Sequence, residues 1–302
     1  MTTSRTPKRK KIVFCMEKGG GKTKTGLVLE GGAMRGLFTA GVLDVLYGYG
    51  IRFDGIIGVS AGAVFGCNYK SGQPGRVLRY NKRFCRNWRY CSFRSWLLTG
   101  DLFGAEFCYR DLPDKLDIFD CEAYRQDPSE FYVVCTDVHT GKAVYRSLPE
   151  VDANCFEWMR ASASMPLVSR IVRVSGGEYL DGAVADSIPL KFFEDAGFRK
   201  NVVILTQPAG FCKKPARGMG ILKFFLRKYP VFSETLARRH EVYNAEVAYA
   251  EAQAEAGNVL LIRPDEPLPI GRLCHDPELL QKTYDIGVRA GEKFSEKVRN
   301  FL

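Results

Sequence analysis

The sequence is poor in histidine and in long apolar runs, and each shortage excludes a class of protein. Only three histidines occur among 302 residues and no CxxC pair is present, so structural zinc sites and multi-histidine catalytic centres lack their ligands. No segment reaches the roughly eighteen unbroken apolar residues that cross a bilayer. The apolar stretch near the amino terminus, residues 12–15, is too short for a signal-peptide core. We expect a cytoplasmic protein that needs no metal and no cofactor.

The composition is that of a folded domain. Apolar residues make up 46% of the chain, which is enough for a large core. The ten cysteines are scattered without close paired spacing, which is typical of reduced thiols. No Pro-, Gly- or Ser-rich linker and no repeat interrupts the later part of the chain. The sequence predicts a basic amino-terminal tail, residues 1–24, with a short strand at residues 12–16 and a turn at residues 19–23, followed by one α/β unit, residues 25–302.

Short apolar segments alternate with helical patterns along this unit. A strand at residues 26–29 precedes a helical stripe over residues 33–46, and a strand at residues 56–59 precedes a helical segment over residues 61–69. Further strands are predicted at residues 131–136, 143–146, 171–174, 202–206 and 259–262. This alternation predicts a mostly parallel sheet covered by helices.

Ser60 lies at the centre of the strongest local signal, a Gly-x-Ser-x-Gly pattern formed with Gly58 and Gly62. The pattern follows a predicted strand and precedes a predicted helix, which is the position of a nucleophile elbow. Because such a turn is sharp and brings neighbouring backbone close, only small residues fit two positions to either side of the serine. The pattern predicts that Ser60 is a nucleophile.

A glycine-rich turn, residues 30–36, joins the first strand to the first helix. Free backbone N–H groups at Gly31, Gly32 and Ala33, together with the helix dipole, favour an anion above this turn. A tetrahedral intermediate of acyl transfer needs such donors at its negative oxygen. The turn is a candidate oxyanion hole.

The third element is the segment 179–183, in which Asp181 precedes Gly182. It follows an apolar strand and a turn at Gly176 and Gly177. Asp-Gly is a common turn dipeptide, so the segment alone predicts a carboxylate on a loop, beside small residues that let another segment approach.

The glycine-rich turn, the Gly-x-Ser-x-Gly pattern and Asp-Gly-Ala, in that order, resemble the motifs of patatin-like phospholipases. Residues 161–166 also resemble the small-residue helix end that precedes the Asp-Gly segment in that family, and the resemblance spans about residues 26–206. It implies a three-layer α/β/α sandwich with a mostly parallel sheet. It also implies a catalytic dyad of Ser60 and Asp181, with an oxyanion hole around Gly32 and Ala33. The motif glycines would be Gly36, Gly58, Gly62 and Gly182.

One position departs from the family pattern. The family usually has three consecutive glycines in the turn, and Ala33 occupies the third position here. Its N–H can still donate, but a Cβ disfavours positive φ. The shape of the oxyanion hole therefore depends on the conformation of Ala33.

The resemblance implies hydrolysis of a lipid or acyl-ester substrate through an acyl-enzyme. A free aspartate, with a pKa of ~3.9, is a poor base. We therefore expect a water-poor pocket that raises the proton affinity of Asp181. The sequence carries no indication of an oligomeric state.

The surface charge indicates an anionic partner. Lys and Arg outnumber Asp and Glu by 44 to 34, and two stretches, residues 79–96 and 222–229, mix cations with aromatic rings. This mixture suits the interface of an anionic membrane. Single-stranded nucleic acid suits the same mixture, and helices with one buried aromatic face are the simplest alternative. The hydrolase motifs favour lipid, so we expect peripheral membrane contact and no nucleic acid.

Two enzymatic alternatives remain. The glycine-rich turn approximates a dinucleotide-binding fingerprint, although Ala33 replaces its second glycine and Ser60 stands where a ribose-binding acid is expected. A Ser-Asp-His triad is the stronger alternative, because His240 and His275 both follow Asp181. The α/β-hydrolase fold that carries such a triad, however, places several strands before its nucleophile elbow. A lipid-binding protein that retains the elbow without turnover is a third, non-enzymatic alternative.

Overall fold

A computed structural model describes residues 23–152, 154–216 and 218–302. Within these ranges eight strands form one sheet. The strands are β1 (Lys24–Leu29), β2 (Gly55–Val59), β3 (Glu130–Asp137), β4 (Ala143–Ser147), β5 (Val172–Val174), β6 (Gly177–Asp181), β7 (Phe198–Ile204) and β8 (Val259–Ile262). The α-helices are α1 (Gly36–Gly48), α2 (Ala61–Lys70), α3 (Arg76–Phe84), α4 (Phe93–Thr99), α5 (Cys121–Gln126), α6 (Cys155–Ala163), α7 (Leu190–Asp195), α8 (Met219–Phe225), α9 (Pro230–Glu255) and α10 (Pro277–Phe301). Short 3₁₀ turns cover Ala33–Arg35 and Gly182–Val184, and Phe107–Leu116 is π-helical.

The sheet is mostly parallel. Its order is β5-β6-β3-β2-β1-β7-β8, and β4 pairs with β3 outside this order. The pairs that join β3, β2, β1, β7 and β8 are all parallel, whereas β4, β5 and β6 pair antiparallel. Because parallel strands end at one edge of the sheet, the turns that follow β1 and β2 lie side by side.

Helices cover both faces of the sheet. Leu27 and Leu29 of β1 point into a core built with α1, α2, α6 and α10, whereas Val28 between them packs with residues of α7 and α9. Alternate residues of a strand point to opposite faces, so the fully apolar run of β1 serves two cores. The predicted α/β/α sandwich is confirmed.

The predicted loop around Asp181 is wrong, because Asp181 is the last residue of β6. Ser175 and Gly176 have φ of 49° and 80°, and two successive positive φ values allow the tight hairpin that joins β5 to β6. Gly177 and the Asp-Gly pair resemble turn residues in the sequence. Antiparallel pairing with β3 and β5 nevertheless makes this segment a strand.

The predicted amino-terminal strand at residues 12–16 lies outside the described residues, as does the predicted turn at residues 19–23 except for Thr23. The division at residue 24 stays a prediction, and Lys24 is the first residue of β1. No helix among the described residues combines the length and apolarity that a membrane span requires.

The carboxy-terminal helix α10 packs directly on α1. A Cβ at Gly287 would lie 2.0 Å from the carbonyl oxygen of Phe38, and one at Gly41 would lie 2.3 Å from that of Tyr284. Only glycine permits so close a helix crossing. The end of the chain is thereby fixed to the helix that begins at the glycine-rich turn.

Candidate active site

Ser60 occupies a strained turn between β2 and α2. Its φ and ψ are 55° and −121°, a region that a residue with a side chain rarely adopts. A Cβ at Gly58 would lie 2.5 Å from the backbone of Gly62, and one at Gly62 would lie 2.4 Å from the carbonyl oxygen of Leu29. The two glycines therefore let the turn close against β1. A Cβ at the motif glycines Gly36 and Gly182 would likewise come within 2.9 and 2.1 Å of a neighbouring atom.

The sheet register brings Ser60 to Asp181. Val59 pairs with Val134 of β3, and the next residue of β3, Cys135, pairs with Asp181 of β6. The residue after Val59 therefore lies beside the end of β6. The Ser60 hydroxyl donates a hydrogen bond of 2.9 Å to Oδ2 of Asp181.

Hydrogen bonds from its surroundings fix the orientation of Asp181. Its Oδ1 accepts from the N–H of Ala183 at 2.9 Å, and its own N–H donates to the carbonyl oxygen of Ser164 at 2.8 Å. The Thr136 hydroxyl donates to the Asp181 carbonyl oxygen at 2.9 Å. Oδ1 of Asp181 therefore bonds to the backbone, and Oδ2 bonds to Ser60.

The environment raises the pKa of Asp181. Only 6% of the residue is exposed, and desolvation by burial disfavours the charged carboxylate. The nearby cation Arg239 and the hydrogen bonds from Ala183 and Ser60 lower the pKa, but burial outweighs them. Asp181 is therefore a stronger base than a solvated aspartate.

Ser162 supports the elbow, a role that the sequence reasoning missed. Its hydroxyl accepts a hydrogen bond from the N–H of Ser60 at 3.0 Å and donates one to the carbonyl oxygen of Val134 at 2.6 Å. Ser162 is fully buried. The run of small residues at 161–166 was the signal for it, because a small residue lets α6 approach the elbow.

The glycine-rich turn passes directly over Ser60. A Cβ at Gly31 would lie 2.9 Å from the Cβ of Ser60. Ala33 adopts a φ of 49°, so its Cβ does not prevent the left-handed conformation. Among the described residues, the N–H groups of Gly31, Gly32 and Ala33 have no protein acceptor. These donors are available to an anion beside Ser60.

Glu30 anchors the start of this turn, and no sequence signal pointed to it. The side chain is 3% exposed, and its Oε2 accepts from the N–H and the hydroxyl of Thr206 at 2.6 and 3.1 Å. The end of β7 thus holds the end of β1.

A narrow apolar cavity of about 100 Å³ reaches Ser60 from one side. Carbon and ring atoms form most of its wall. The lining includes Val64, Phe65, Tyr80, Tyr90, Phe103, Tyr109, Leu112, Phe119, Phe156, Met159 and Ala163.

A second cavity of about 450 Å³ meets the first at Ser60, Ala33 and Met165. We call it the cationic cavity, because most of its charged residues are positive. Five cations, Arg35, Lys213, Lys214, Arg239 and Arg272, line it together with two carboxyl groups, Glu30 and Asp181. Of these cations, only Arg35 belongs to a motif that the sequence analysis singled out, the glycine-rich turn.

Neither candidate histidine bonds to the Ser60–Asp181 pair. His275 is exposed and its Nδ1 bonds to the carbonyl oxygen of Cys85 at 2.6 Å. His240 lines the cationic cavity, but its Nδ1 bonds to the carbonyl oxygen of Ala237 at 3.1 Å within its own helix. The arrangement disfavours a Ser-Asp-His triad.

Comparison with known proteins gives relatives for most of the chain. The protein YjjU of Escherichia coli, described as uncharacterized, is 27% identical over 291 residues, which cover 91% of this chain and 78% of YjjU. Lysophospholipase nte1 of Aspergillus oryzae is 25% identical over 91% of this chain, and lysophospholipase NTE1 of Kluyveromyces lactis is 29% identical over 55% of it. The matched regions cover only 18% and 11% of those two lysophospholipases. Among solved structures, VipD from Legionella pneumophila aligns with a TM-score of 0.47 at 13% identity, over 91% of this chain and 67% of that one.

Two family models match the chain. One, described as a domain of unknown function (DUF6363), matches residues 229–302. The other, described as patatin-like phospholipase, matches residues 27–193 and so covers more than half of the chain, including the glycine-rich turn, Ser60 and Asp181. The resemblance seen in the sequence is confirmed, and the chain belongs to the patatin-like phospholipase family.

Proposed function

We propose that the protein is a lipid acyl hydrolase that cleaves carboxylic esters with a Ser60–Asp181 dyad. The observation that supports this most directly is the 2.9 Å hydrogen bond from the Ser60 hydroxyl to a buried carboxylate with a raised pKa. Nucleophile and base are within the reach that proton transfer requires. Membership of the patatin-like phospholipase family supports a lipid ester as the substrate.

In the proposed reaction, Ser60 Oγ attacks the ester carbonyl carbon and transfers its proton to Asp181. The N–H groups of Gly31, Gly32 and Ala33 stabilise the negative oxygen of the tetrahedral intermediate. Collapse breaks the bond to the alcohol, which leaves with the proton from Asp181, and an acyl-Ser60 ester remains. Water then attacks this ester while Asp181 accepts its proton, and release of the fatty acid restores both side chains.

The test is hydrolysis of a chain-length series of acyl esters and phospholipids. We expect Ser60→Ala and Asp181→Asn each to lower kcat/KM at least about a thousandfold. A His240→Ala/His275→Ala variant serves as the control and should retain its rate. Loss of acylation in a folded histidine variant would favour the triad, and lipid binding without turnover by the wild type would favour a non-catalytic role.

We further propose peripheral contact with an anionic membrane through α4 and α8. Phe93 and Leu97 of α4 are 66% and 65% exposed, and Phe224 and Phe225 of α8 are 62% and 66% exposed. Exposed cations flank the two rings of α8 in the sequence: Lys223, Arg227 and Lys228. Rings with adjacent cations suit the headgroup level of a bilayer.

Part of the aromatic stretch at residues 79–96 has another role. Tyr80, Phe84 and Tyr90 are buried, so the simpler expectation of a buried aromatic face holds for them. The proposed surface is therefore limited to α4 and α8. Both helices lie beside the cationic cavity. Leu222 of α8 lines the cavity, and the indole N–H of Trp96 of α4 donates a hydrogen bond to the carbonyl oxygen of Leu167, next to the lining residue Pro166.

Co-sedimentation with vesicles tests this contact. We expect Phe224→Ser/Phe225→Ser to reduce binding to phosphatidylglycerol vesicles about tenfold, because two exposed rings no longer insert. Tyr49→Ser is the matched control, since Tyr49 is 51% exposed at the far end of α1 from the glycine-rich turn. Binding that is indifferent to anionic lipid or to both α8 rings would count against the proposal.

A further inference from the structure

The cations of the cationic cavity line one space and, among the described residues, have no ion-paired carboxylate. In the part of the chain that the structure describes, Arg35, Lys213, Arg239 and Arg272 form no ion pair with a carboxylate. Other arginines do find such partners, as Arg79 does with Asp117 at 2.8 Å and Arg263 with Glu251 at 2.6 Å. The Nε of Arg35 is buried without any hydrogen-bond partner. An unpaired buried donor is costly, so the retention of Arg35 at this position needs a reason.

These cations are close enough to repel one another. Desolvation by burial lowers the pKa of Arg35 most, the Glu30 carboxylate raises it, and Arg272 and Arg239 each lower it further. Burial and the same two arginines lower the pKa of Lys213 to about 7. Because five cations and only two carboxyl groups line one cleft, the field in the cleft favours an anion.

The surrounding structure holds the cations in place. Arg239 donates through its Nε to the carbonyl oxygen of Ala183, two residues beyond Asp181. The Lys213 ammonium group lies 3.4 Å from the centroid of the Tyr243 ring, and the backbone N–H of Lys213 donates to Asn244 Oδ1 at 2.8 Å. A site with fixed donors loses less conformational entropy when it binds a ligand.

Much of this site comes from the carboxy-terminal region. Arg239 lies on α9 and Arg272 on the segment between β8 and α10, and both lie within residues 229–302, which match the domain of unknown function. The same region supplies Tyr243 and Asn244, which hold Lys213. Only Arg35 belongs to the glycine-rich turn.

We propose that these cations bind a phosphate on the alcohol side of the acyl-ester substrate, and that residues 229–302 confer this recognition. The inference rests on the proposed hydrolase function, since Ser60 lines both cavities. An ester at Ser60 would place its acyl chain among apolar side chains and its headgroup among cations. Arginine pairs with phosphate through two parallel hydrogen bonds. A choline or ethanolamine group would bring a further cation into this cavity, so acyl esters with an uncapped phosphate are the favoured class.

The test compares three substrates with one short acyl chain, each used as a monomer so that membrane contact does not contribute. They are 1-acylglycerol 3-phosphate, 1-acylglycerol and 1-acylglycerol 3-phosphocholine. We expect wild-type kcat/KM to be at least about tenfold higher for the phosphate than for either other ester. Arg272→Gln and Arg239→Gln should each lower the ratio of phosphate to phosphate-free substrate about tenfold.

Arg238→Gln is the matched control, because Arg238 neighbours Arg239 on α9 but is exposed and paired with Glu241. It should keep the ratio of the wild type. Arg272 is exposed, so its variant should fold even if Arg239→Gln, which loses the bond to Ala183, does not.

Binding to Ser60→Ala, measured by calorimetry, separates recognition from turnover. The inference predicts that the acylglycerol phosphate binds at least about tenfold more tightly than the acylglycerol, whatever the rates. The inference is overturned if the acylglycerol phosphate and the acylglycerol bind equally well. It is also overturned if wild-type kcat/KM is about equal for the two while hydrolysis depends on Ser60. In the second case the proposed hydrolase function stands. If no ester is hydrolysed but the binding preference holds, the hydrolase fails and the phosphate site stands. If inorganic phosphate binds as tightly as the lipid, the cations bind a free anion and the assignment to the substrate headgroup is overturned.

Discussion

The two cavities that meet at Ser60 are built in opposite ways. The apolar cavity is narrow, about 100 Å³, and most of its wall comes from one stretch of chain between β2 and β3, residues 61–119. The cationic cavity, about 450 Å³, collects its five cations from the turn after β1, the segment after β7, α9 and the segment before α10. A continuous stretch of chain can shape the wall of a cavity, whereas charges from distant segments come together only through the whole fold. Under the proposed function, separate parts of the chain would set the selectivity for acyl length and for headgroup charge.

Among the changes that test this contrast between the cavities, the largest effect should come from narrowing the apolar cavity. Ala163 ends α6 and lines that cavity, so Ala163→Leu adds three carbon atoms to its wall. Each buried CH₂ of an acyl chain stabilises binding by about 0.8 kcal/mol. We expect kcat/KM for dodecanoyl esters to fall about fiftyfold if three methylenes lose their place, while acetyl esters keep their rate. A chain-length series of nitrophenyl esters measures this.

An equal loss on acetyl and dodecanoyl esters would contradict the assignment, because it would show damage to Ser60 rather than exclusion of the chain. Leu98→Ala is the control, since Leu98 is exposed and lies outside the apolar cavity.

A smaller effect should appear in the pH dependence. In the proposed dyad, Asp181 acts as a base only when ionised. Hydrolysis should therefore decline as the pH falls through its pKa, which burial raises above the ordinary value of 3.8. The acid limb is the pH range in which kcat/KM declines as the pH falls. The positive charge of Arg239 favours the ionised form and lowers that pKa. Arg239→Gln should therefore move the acid limb to higher pH by about one pH unit. The measurement is kcat/KM against pH with an acylglycerol that lacks phosphate.

Arg238→Gln again serves as the control and should leave the acid limb in place. An acid limb that stays fixed or moves to lower pH in Arg239→Gln would show that this guanidinium does not act on the base.

The smallest effect should be on stability. The folded state lowers the pKa of Lys213 from 10.5 to about 7, so between these values it binds fewer protons than the unfolded chain. The contribution of this group to stability therefore falls as the pH drops from 10.5 towards 7. Lys213→Met should raise the free energy of unfolding at pH 7 by about 1 kcal/mol. Urea unfolding at pH 7 and pH 9.5 measures the difference between variant and wild type, which should shrink at the higher pH.

Lys214→Met is the matched control, because Lys214 is the exposed neighbour. A destabilised Lys213→Met would mean that the contact between its ammonium group and the Tyr243 ring outweighs the repulsion from the arginines.

The sequence predicted what short segments determine. Ser60 could be placed because an elbow needs a glycine two positions to either side of its serine. The strands β1, β2 and β8 could be placed because their apolar runs are continuous. The strand β6 was missed because Gly177 and the Asp-Gly pair resemble turn residues, and only pairing with β3 and β5 makes the segment a strand.

The cationic cavity was largely beyond sequence reasoning for a different reason. Arg35 and Arg272 are separated by most of the chain, and each looks like an ordinary surface cation in its own segment. Their proximity follows from the sheet order and from the packing of α10 on α1. The roles proposed for Ser60, Asp181 and the turn at Gly31 to Ala33 remain predictions for the assays above.

The N–H of Met34 donates to the carbonyl oxygen of Arg272 at 3.3 Å, which links the segment that carries this proposed headgroup cation to the turn that carries the proposed oxyanion donors. A ligand that draws the Arg272 side chain inward would restrain its backbone, and through this one bond would restrain Ala33 beside it. Part of the headgroup interaction would then speed the chemical step, in addition to tightening ground-state binding. An ester stripped of its phosphate would accordingly lose turnover number as well as apparent affinity.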